Sequence, residues 1–284
     1  MAIQIITDAG ADLSKEEQEK YGIEVIPIKI FANGKEYLSG TELFSDDFYD
    51  ILESCEEIPT TSQPTTVEIQ EIFLKHVKEG KEVLVLALSS SASGTYNNMN
   101  LAKSMILEEY PDAVIEIIDT QAFAYIYGYA SILASEMAKE GKDIYTIKDE
   151  VKRFIDTREA IFIPNSLTYL EKGGRINKAS LVFGNLLDIV PVLSLRNGLV
   201  EAISKVRGRK KLAKKMVKYV QENLPDQNGK TLLVLNGRME EETIDLIDAL
   251  KECYPTAEIK RAKVGPTIAT HIGPVFSVIC EKGM

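Results

Sequence analysis

Cysteine and histidine are scarce in this 284-residue chain, which has three of the first and two of the second. Cys55, Cys253 and Cys280 show neither pairing nor a close metal-ligand spacing, so they read as packing thiols and give no support to a disulfide framework. His76 lies in an amphipathic helical pattern among charged residues and reads as a surface side chain. His271 sits inside "GPTIATHIGP", flanked by glycine-proline pairs that should bend the chain on both sides. With no second histidine or carboxylate cluster beside it, a metal site has little support. Long apolar runs are also missing. The most apolar helical stretch, "AFAYIYGYASILASEMA", is interrupted by Ser and Tyr and is too short to span a bilayer. The N-terminus has no cationic start and meets Asp8 before a signal core develops, so the expected compartment is the cytoplasm. Basic residues are outnumbered 33 to 43, giving a net charge of −10. That balance disfavours a general nucleic-acid binder, whose affinity would come from neutralising phosphates.

What the chain does have is short β-branched runs alternating with amphipathic stretches. "IQIIT" (3–7), "EVLVLAL" (82–88) and "AVIEIID" (113–119) predict a largely parallel sheet with helical crossovers. Their carboxyl ends run into the polar loops "TDAGADLS", "SSSASGTY" and "DTQAF", where an open α/β sheet places its ligand crevice. Asn33-Gly34 and Asn197-Gly198 predict hairpin turns. Residues 122–138 are apolar around most of a helix and should be buried on more than one side. Character changes near residue 158, which predicts an N-terminal α/β domain over 1–157 and a mixed-sheet α/β domain over 158–284.

The hydroxyl-rich stretch 89–98 stands where a strand hands over to a helix. Such a junction exposes backbone N–H groups that no helical carbonyl reaches. Ser93, Gly94 and Thr95 therefore read either as a helix cap with a turn glycine, or as donors for a carboxylate or phosphate. Thr61 and Ser62, before Pro64, admit the same two readings. Ser93, Asp119 and His271 occur in an order that a hydrolase triad permits, but "SASGT" lacks the first glycine of a nucleophile elbow. "GKT" at 229–231 has Leu224 where a phosphate loop needs its first glycine and precedes a strand, so a self-contained nucleotide kinase is set aside. "KVRGRKKLAKKMVK" (205–218) is the one basic block. It is either a solvated helix face or, with Arg175 and Lys178 of "EKGGRINK", a docking surface for an acidic partner or for phosphates.

Taken together, "TSQPT" (61–65), "SSASGTYNN" (90–98), "YLEKGGRI" (169–176), "KVRGRKK" (205–211) and "GPTIATHIGP" (265–274) resemble the DegV family, including its FakB fatty-acid-binding branch. The resemblance runs over essentially the whole chain. It implies a two-domain DegV-like α/β fold and a long-chain fatty acid bound between the domains, with its carboxylate near Thr61, Ser62, Ser93, Gly94, Thr95 and His271. It further implies a lipid-binding carrier, itself no enzyme, that presents the carboxylate to a separate ATP-dependent fatty acid kinase. The product would be an acyl-phosphate for phospholipid synthesis. Arg175, Arg207 and Arg209 would face that kinase. No cofactor is expected beyond the bound acid as ligand, no nucleic acid and no transmembrane segment, and transient contact with a membrane surface stays open. Two alternatives remain at this point: a serine hydrolase using Ser93 and His271, and a lipid-responsive regulatory protein without a kinase. The chain departs from the family's common pattern at Ala9, where a serine is usual, at Val190, where a lysine is usual, and at the bulky Val275 and Phe276.

Overall fold

The computed structural model describes residues 2–176 and 189–283, and the chain divides into two compact units. One comprises Met1–Asp156 with Gly265–Thr267, and the other Thr157–Val264 with Ile268–Met284. Lys178 of the basic loop lies outside the described residues.

The first unit is built on a parallel sheet in the order β2-β1-β6-β7. Its strands are β1 (Ile3–Asp8), β2 (Glu24–Ile26), β6 (Glu82–Ala87) and β7 (Ile115–Asp119). β1 and β6 read as near-continuous apolar runs because both faces are covered, as a parallel sheet requires. A smaller antiparallel sheet joins β3 (Ile28–Ala32) to β4 (Lys35–Ser39) and to β5 (Thr60–Ser62). The β3–β4 turn is made by Asn33 and Gly34, both at positive φ, as the Asn-Gly pair predicts. Six helices flank the strands: α1 (Lys15–Tyr21), α2 (Ser45–Ser54), α3 (Thr66–Lys78), α4 (Thr95–Glu109), α5 (Tyr125–Lys139) and α6 (Ile144–Asp156). Of these, α5 is buried around most of its circumference, from Tyr125 through Ser135. His76 corrects its sequence reading. It is only 3% exposed, with its ring against the carboxylate of Glu24 on β2, because α3 turns that residue onto the sheet.

The second unit carries a six-stranded mixed sheet in the order β10-β9-β8-β13-β11-β12. Its strands are β8 (Arg158–Pro164), β9 (Ile189–Arg196), β10 (Leu199–Arg207), β11 (Thr231–Gly237), β12 (Glu258–Lys263) and β13 (Val275–Glu281). Among the described strands of this sheet, β11 and β12 pair in parallel and the other pairs are antiparallel. Asn197 and Gly198 turn β9 into β10. Helices α8 (Leu212–Asn223) and α9 (Glu240–Cys253) bury Leu212, Met216, Val220, Leu246 and Leu250 against the sheet. Two shorter helices are α7 (Thr168–Gly173) and α10 (Pro266–Ile272). Thus Gly265-Pro266 opens a helix instead of merely bending a strand, which suits proline at a first helical position. The unusual residues are absorbed locally: Val190 joins the core of the second unit, Val275 and Phe276 are buried on β13, and Ala9 is buried in the turn after β1.

Two carboxylates in that turn are buried. Asp8 Oδ1 accepts from the Gly10 N–H (2.9 Å) and the Tyr127 hydroxyl (2.8 Å), and Oδ2 from the Leu88 N–H (2.7 Å). Asp12 differs. Part of the residue is exposed, yet both oxygens are shut off from solvent and complete no hydrogen bond, although the Gly265 amide is near enough to favour the charge. Burial therefore lifts both acids above the ordinary aspartate range, Asp12 further, with the charge of Asp8 adding to the effect. An acid raised in this way stabilises the fold fully below its ordinary value of 3.8, and that contribution is lost as pH rises through the raised value. Asp12→Asn, which keeps the shape and suits the positive φ at this position, should raise the urea midpoint at neutral pH. It should also flatten part of the decline above about pH 4. An unchanged pH slope would show that Asp12 is not the group responsible.

Candidate functional site

The hydroxyls of the first unit come from two chain segments with different local logic. Thr61 and Ser62 lie in β5, paired with Ile30 and Lys29 of β3, so neither caps a helix. The cap of α3 is Thr65: its hydroxyl accepts from the Glu68 N–H while Glu68 accepts from the Thr65 N–H and hydroxyl, forming a capping box. Lys29 donates to the same glutamate at 2.8 Å. That lysine and the capping donors bring Glu68 down to about 2. Pro64 precedes the cap and is not in the helix.

The second segment runs from β6 into α4. The cap position is Gly94, not Ser93, and no side chain caps it. Ser93 and Thr95 hydroxyls pair at 2.8 Å, and the Thr95 N–H donates to Ser93 Oγ at 3.3 Å. Gly94 has φ −74° and ψ 1°, a conformation open to any residue. A methyl group there would meet the side-chain amide of Gln63, the end of an exposed, flexible side chain that can shift to make room. The Asn98 side chain donates to the Pro64 carbonyl at 2.9 Å and ties the two segments together.

Asp119, at the end of β7, accepts from the Ser90 N–H and hydroxyl and from the Gln121 N–H and side-chain amide. The acid of the triad considered from chain order thus serves Ser90, and Ser93 is engaged with Thr95 instead.

In the second unit, His271 lies near the end of α10, packed closely on Gly173. A methyl group at position 173 would be 2.9 Å from Nδ1. The next glycine, Gly174, closes α7 in the left-handed conformation, so the paired glycines answer two separate demands. Arg175 donates to the Gly173 carbonyl at 2.5 Å. Burial, and then the Arg175 charge, bring His271 down from 6.5 to about 4. The imidazole is neutral at physiological pH and can exchange hydrogen bonds without contributing charge. Arg209 reaches Asn165 through the side-chain oxygen (3.2 Å) and the carbonyl (2.6 Å), and Arg207 is exposed at the end of β10. On α8 the exposed Lys214 and Lys218 lie opposite the buried Leu212, Met216 and Val217, so this part of the basic block is a solvated helix face.

The model of the DegV family, described as "Uncharacterised protein, DegV family", matches residues 2–282. The chain belongs to the DegV family. It is 35% identical over 273 residues to a DegV domain-containing protein of Clostridium perfringens, covering 96% of each. Among solved structures it is similar to a fatty-acid-binding DegV family protein of Thermus thermophilus, with TM-score 0.88 and 27% identity over the whole of both chains. A DegV lipid-binding protein of Thermotoga maritima matches at TM-score 0.85 and 28% identity, again over both whole chains. DegV of Bacillus subtilis, a fatty acid binding protein, matches at 0.83 and 28%, covering 99% of this chain and all of that one. The two-part DegV fold expected from the motifs is therefore present. Among the described residues no helix is long and apolar enough to cross a membrane, and no group of His, Cys, Asp or Glu side chains could hold a metal.

Sequence reading missed Asp8 and Asp12. A buried carboxylate leaves little trace in a loop sequence. Because the value of His271 falls on folding, its contribution to stability is present above 6.5 and lost as pH drops toward about 4. His271→Gln should flatten the fall in the thermal midpoint across that window, and an undiminished fall would assign the slope to other groups.

Proposed function

We propose that this protein is a cytoplasmic carrier that binds a long-chain fatty acid, holds its carboxylate with the Thr61, Ser62, Ser93 and Thr95 hydroxyls and the amides around Gly94, and presents it to a separate ATP-dependent fatty acid kinase. The observation that carries the reading is full-length similarity to solved DegV proteins that bind fatty acids. Burying a methylene contributes about 0.8 kcal/mol, so roughly fourteen of them offer about 11 kcal/mol before association and ordering costs. Tail burial then supplies most of the affinity, and the head group decides selectivity. Without donors a buried carboxylate would protonate, whereas two or three hydrogen bonds keep it ionised. In phosphoryl transfer to that carboxylate, the partner supplies nucleotide, metal and most of the transition-state stabilisation. Arg175, Arg207 and Arg209 are the side chains we assign to the partner-facing surface. Carrier function is favoured over hydrolysis because Asp119 is committed to Ser90 and Gln121.

Mass spectrometry of gently purified protein should release a long-chain acid. Recovering none, with no uptake of added palmitate or oleate, would overturn the reading. Thr61→Ala combined with Ser93→Ala should weaken palmitate binding by at least about tenfold, at 1.5–3 kcal/mol for each hydrogen bond to a charged group, while hexadecanol binding changes little. A reconstituted acyl-phosphate assay with the cognate kinase tests the partnership separately, and no product there would favour a regulatory lipid-binding role.

A further inference from the structure

We propose that Thr95 is a positioning residue for the head-group site: buried at the start of α4, its hydroxyl donates to Ser93 Oγ and so leaves the hydroxyl hydrogen of Ser93 for an acceptor outside the turn. The inference rests on the carrier reading and deepens it, because it names which hydroxyl of the 89–95 turn offers its hydrogen and what aims it.

A hydroxyl has one hydrogen to donate and two lone pairs that accept. The Ser93 and Thr95 oxygens stand 2.8 Å apart, so one of the two donates to the other, and the Thr95 N–H adds a longer bond to Ser93 Oγ at 3.3 Å. Burial decides the direction. Thr95 lies on the buried stripe of α4 with Met99, Ala102 and Ile106 and is 0% exposed, whereas Ser93 is half-buried. Among the described residues Ser93 Oγ is the only hydrogen-bond partner of the Thr95 hydroxyl. Were Ser93 the donor, the Thr95 hydrogen would be sealed from water with no acceptor, and a stranded buried donor costs more than a typical hydrogen bond returns. With Thr95 as donor, Ser93 Oγ accepts from both the N–H and the O–H of Thr95. Its lone pairs are then filled, and its own hydrogen is what it has left to offer. The neighbouring hydroxyls are spent inside the turn, since Ser90 donates to Asp119 and Ser91 to the side-chain oxygen of Gln121. Ser93 is thus set as a donor toward an acceptor such as a carboxylate oxygen, and Thr95, too deep to touch a head group itself, acts through it.

Palmitate and hexadecanol binding, with the urea midpoint in the absence of added ligand, should be measured for wild type, Thr95→Val, Thr95→Ser, Ser93→Ala and the double variant Ser93→Ala/Thr95→Val. Thr95→Val keeps the branched shape and removes the hydroxyl. It should weaken palmitate about fivefold, the scale of one hydrogen bond, with hexadecanol affinity unchanged, and Thr95→Ser should bind palmitate as wild type does. In the Ser93→Ala background the valine should cost no further affinity. Stability gives a readout that needs no ligand: Ser93→Ala strands the buried Thr95 hydroxyl and should lower the urea midpoint, and adding Thr95→Val should recover part of that loss. The proposal is overturned if acid and alcohol affinities fall together, or if the double variant is no more stable than Ser93→Ala. It is equally overturned if the palmitate losses of Ser93→Ala and Thr95→Val add, as direct contact of Thr95 with the carboxylate would make them. Should wild type itself take up no palmitate, the carrier reading has failed and the positioning role falls with it. If wild type binds palmitate and Thr95→Val binds it equally well, only the positioning role is lost.

Discussion

The first unit depends on one buried carboxyl group. Asp8 ends β1, and its carboxylate accepts hydrogen bonds from the turn that follows it, from the end of β6 at Leu88 and from Tyr127 on α5. Taking a carboxylate out of water costs several kcal/mol even after relaxation. Each hydrogen bond to a charged group returns about 1.5–3 kcal/mol, so three donors offset much of that cost, and burial still outweighs them. Both oxygens only accept, which is the arrangement of an anion, although burial still leaves the acid harder to ionise than in water. The consequence is geometric. The carboxyl ends of β1 and β6, where the polar loops begin, are locked to each other and to the most deeply buried helix. The hydroxyl turn at 89–95 therefore starts from a fixed point.

Strands β1, β6 and β7, the helix at Glu240–Cys253 and both Asn-Gly turns are legible in the residues, because each rests on a local signal of apolar run, helical period or positive φ. Thr60–Ser62 is not, since a three-residue strand of hydroxyls is created by pairing with β3 and carries no hydrophobic pattern of its own. His76 misleads for a related reason. The charges after it mark a surface, but Glu24 reaches it from a strand fifty-two residues earlier, and only the fold brings the two together. Gly94 reads from the sequence as a turn glycine, yet its backbone lies in a region open to any residue, so the turn itself does not demand it.

The same distinction separates the two glycines of "EKGGRI". Gly174 answers to the backbone, as a helix stop in the left-handed region, and Gly173 answers to the ring of His271. Placing that ring where burial and the Arg175 charge both disfavour protonation gives a histidine whose role is structural or hydrogen-bonding across the whole physiological range. It is not a pH switch near neutrality, and the charge acting on it is that of Arg175.

In the proposed carrier, the choice of hydroxyls would follow from what it must do with its guest. Neither 60–65 nor 89–98 contains a lysine or arginine. A guanidinium would bind a carboxylate more strongly and in a fixed bidentate fork, but it would also neutralise the oxygen that, in the proposed transfer, attacks phosphorus. Neutral hydroxyls and amides stabilise the ionised form through directional hydrogen bonds while leaving its negative charge in place. Were a tail to supply most of the affinity, the head group would be free to be held weakly. What such a head group would then require is accuracy in the spacing of its donors, and the Asn98 hydrogen bond to the Pro64 carbonyl links the two segments that carry them.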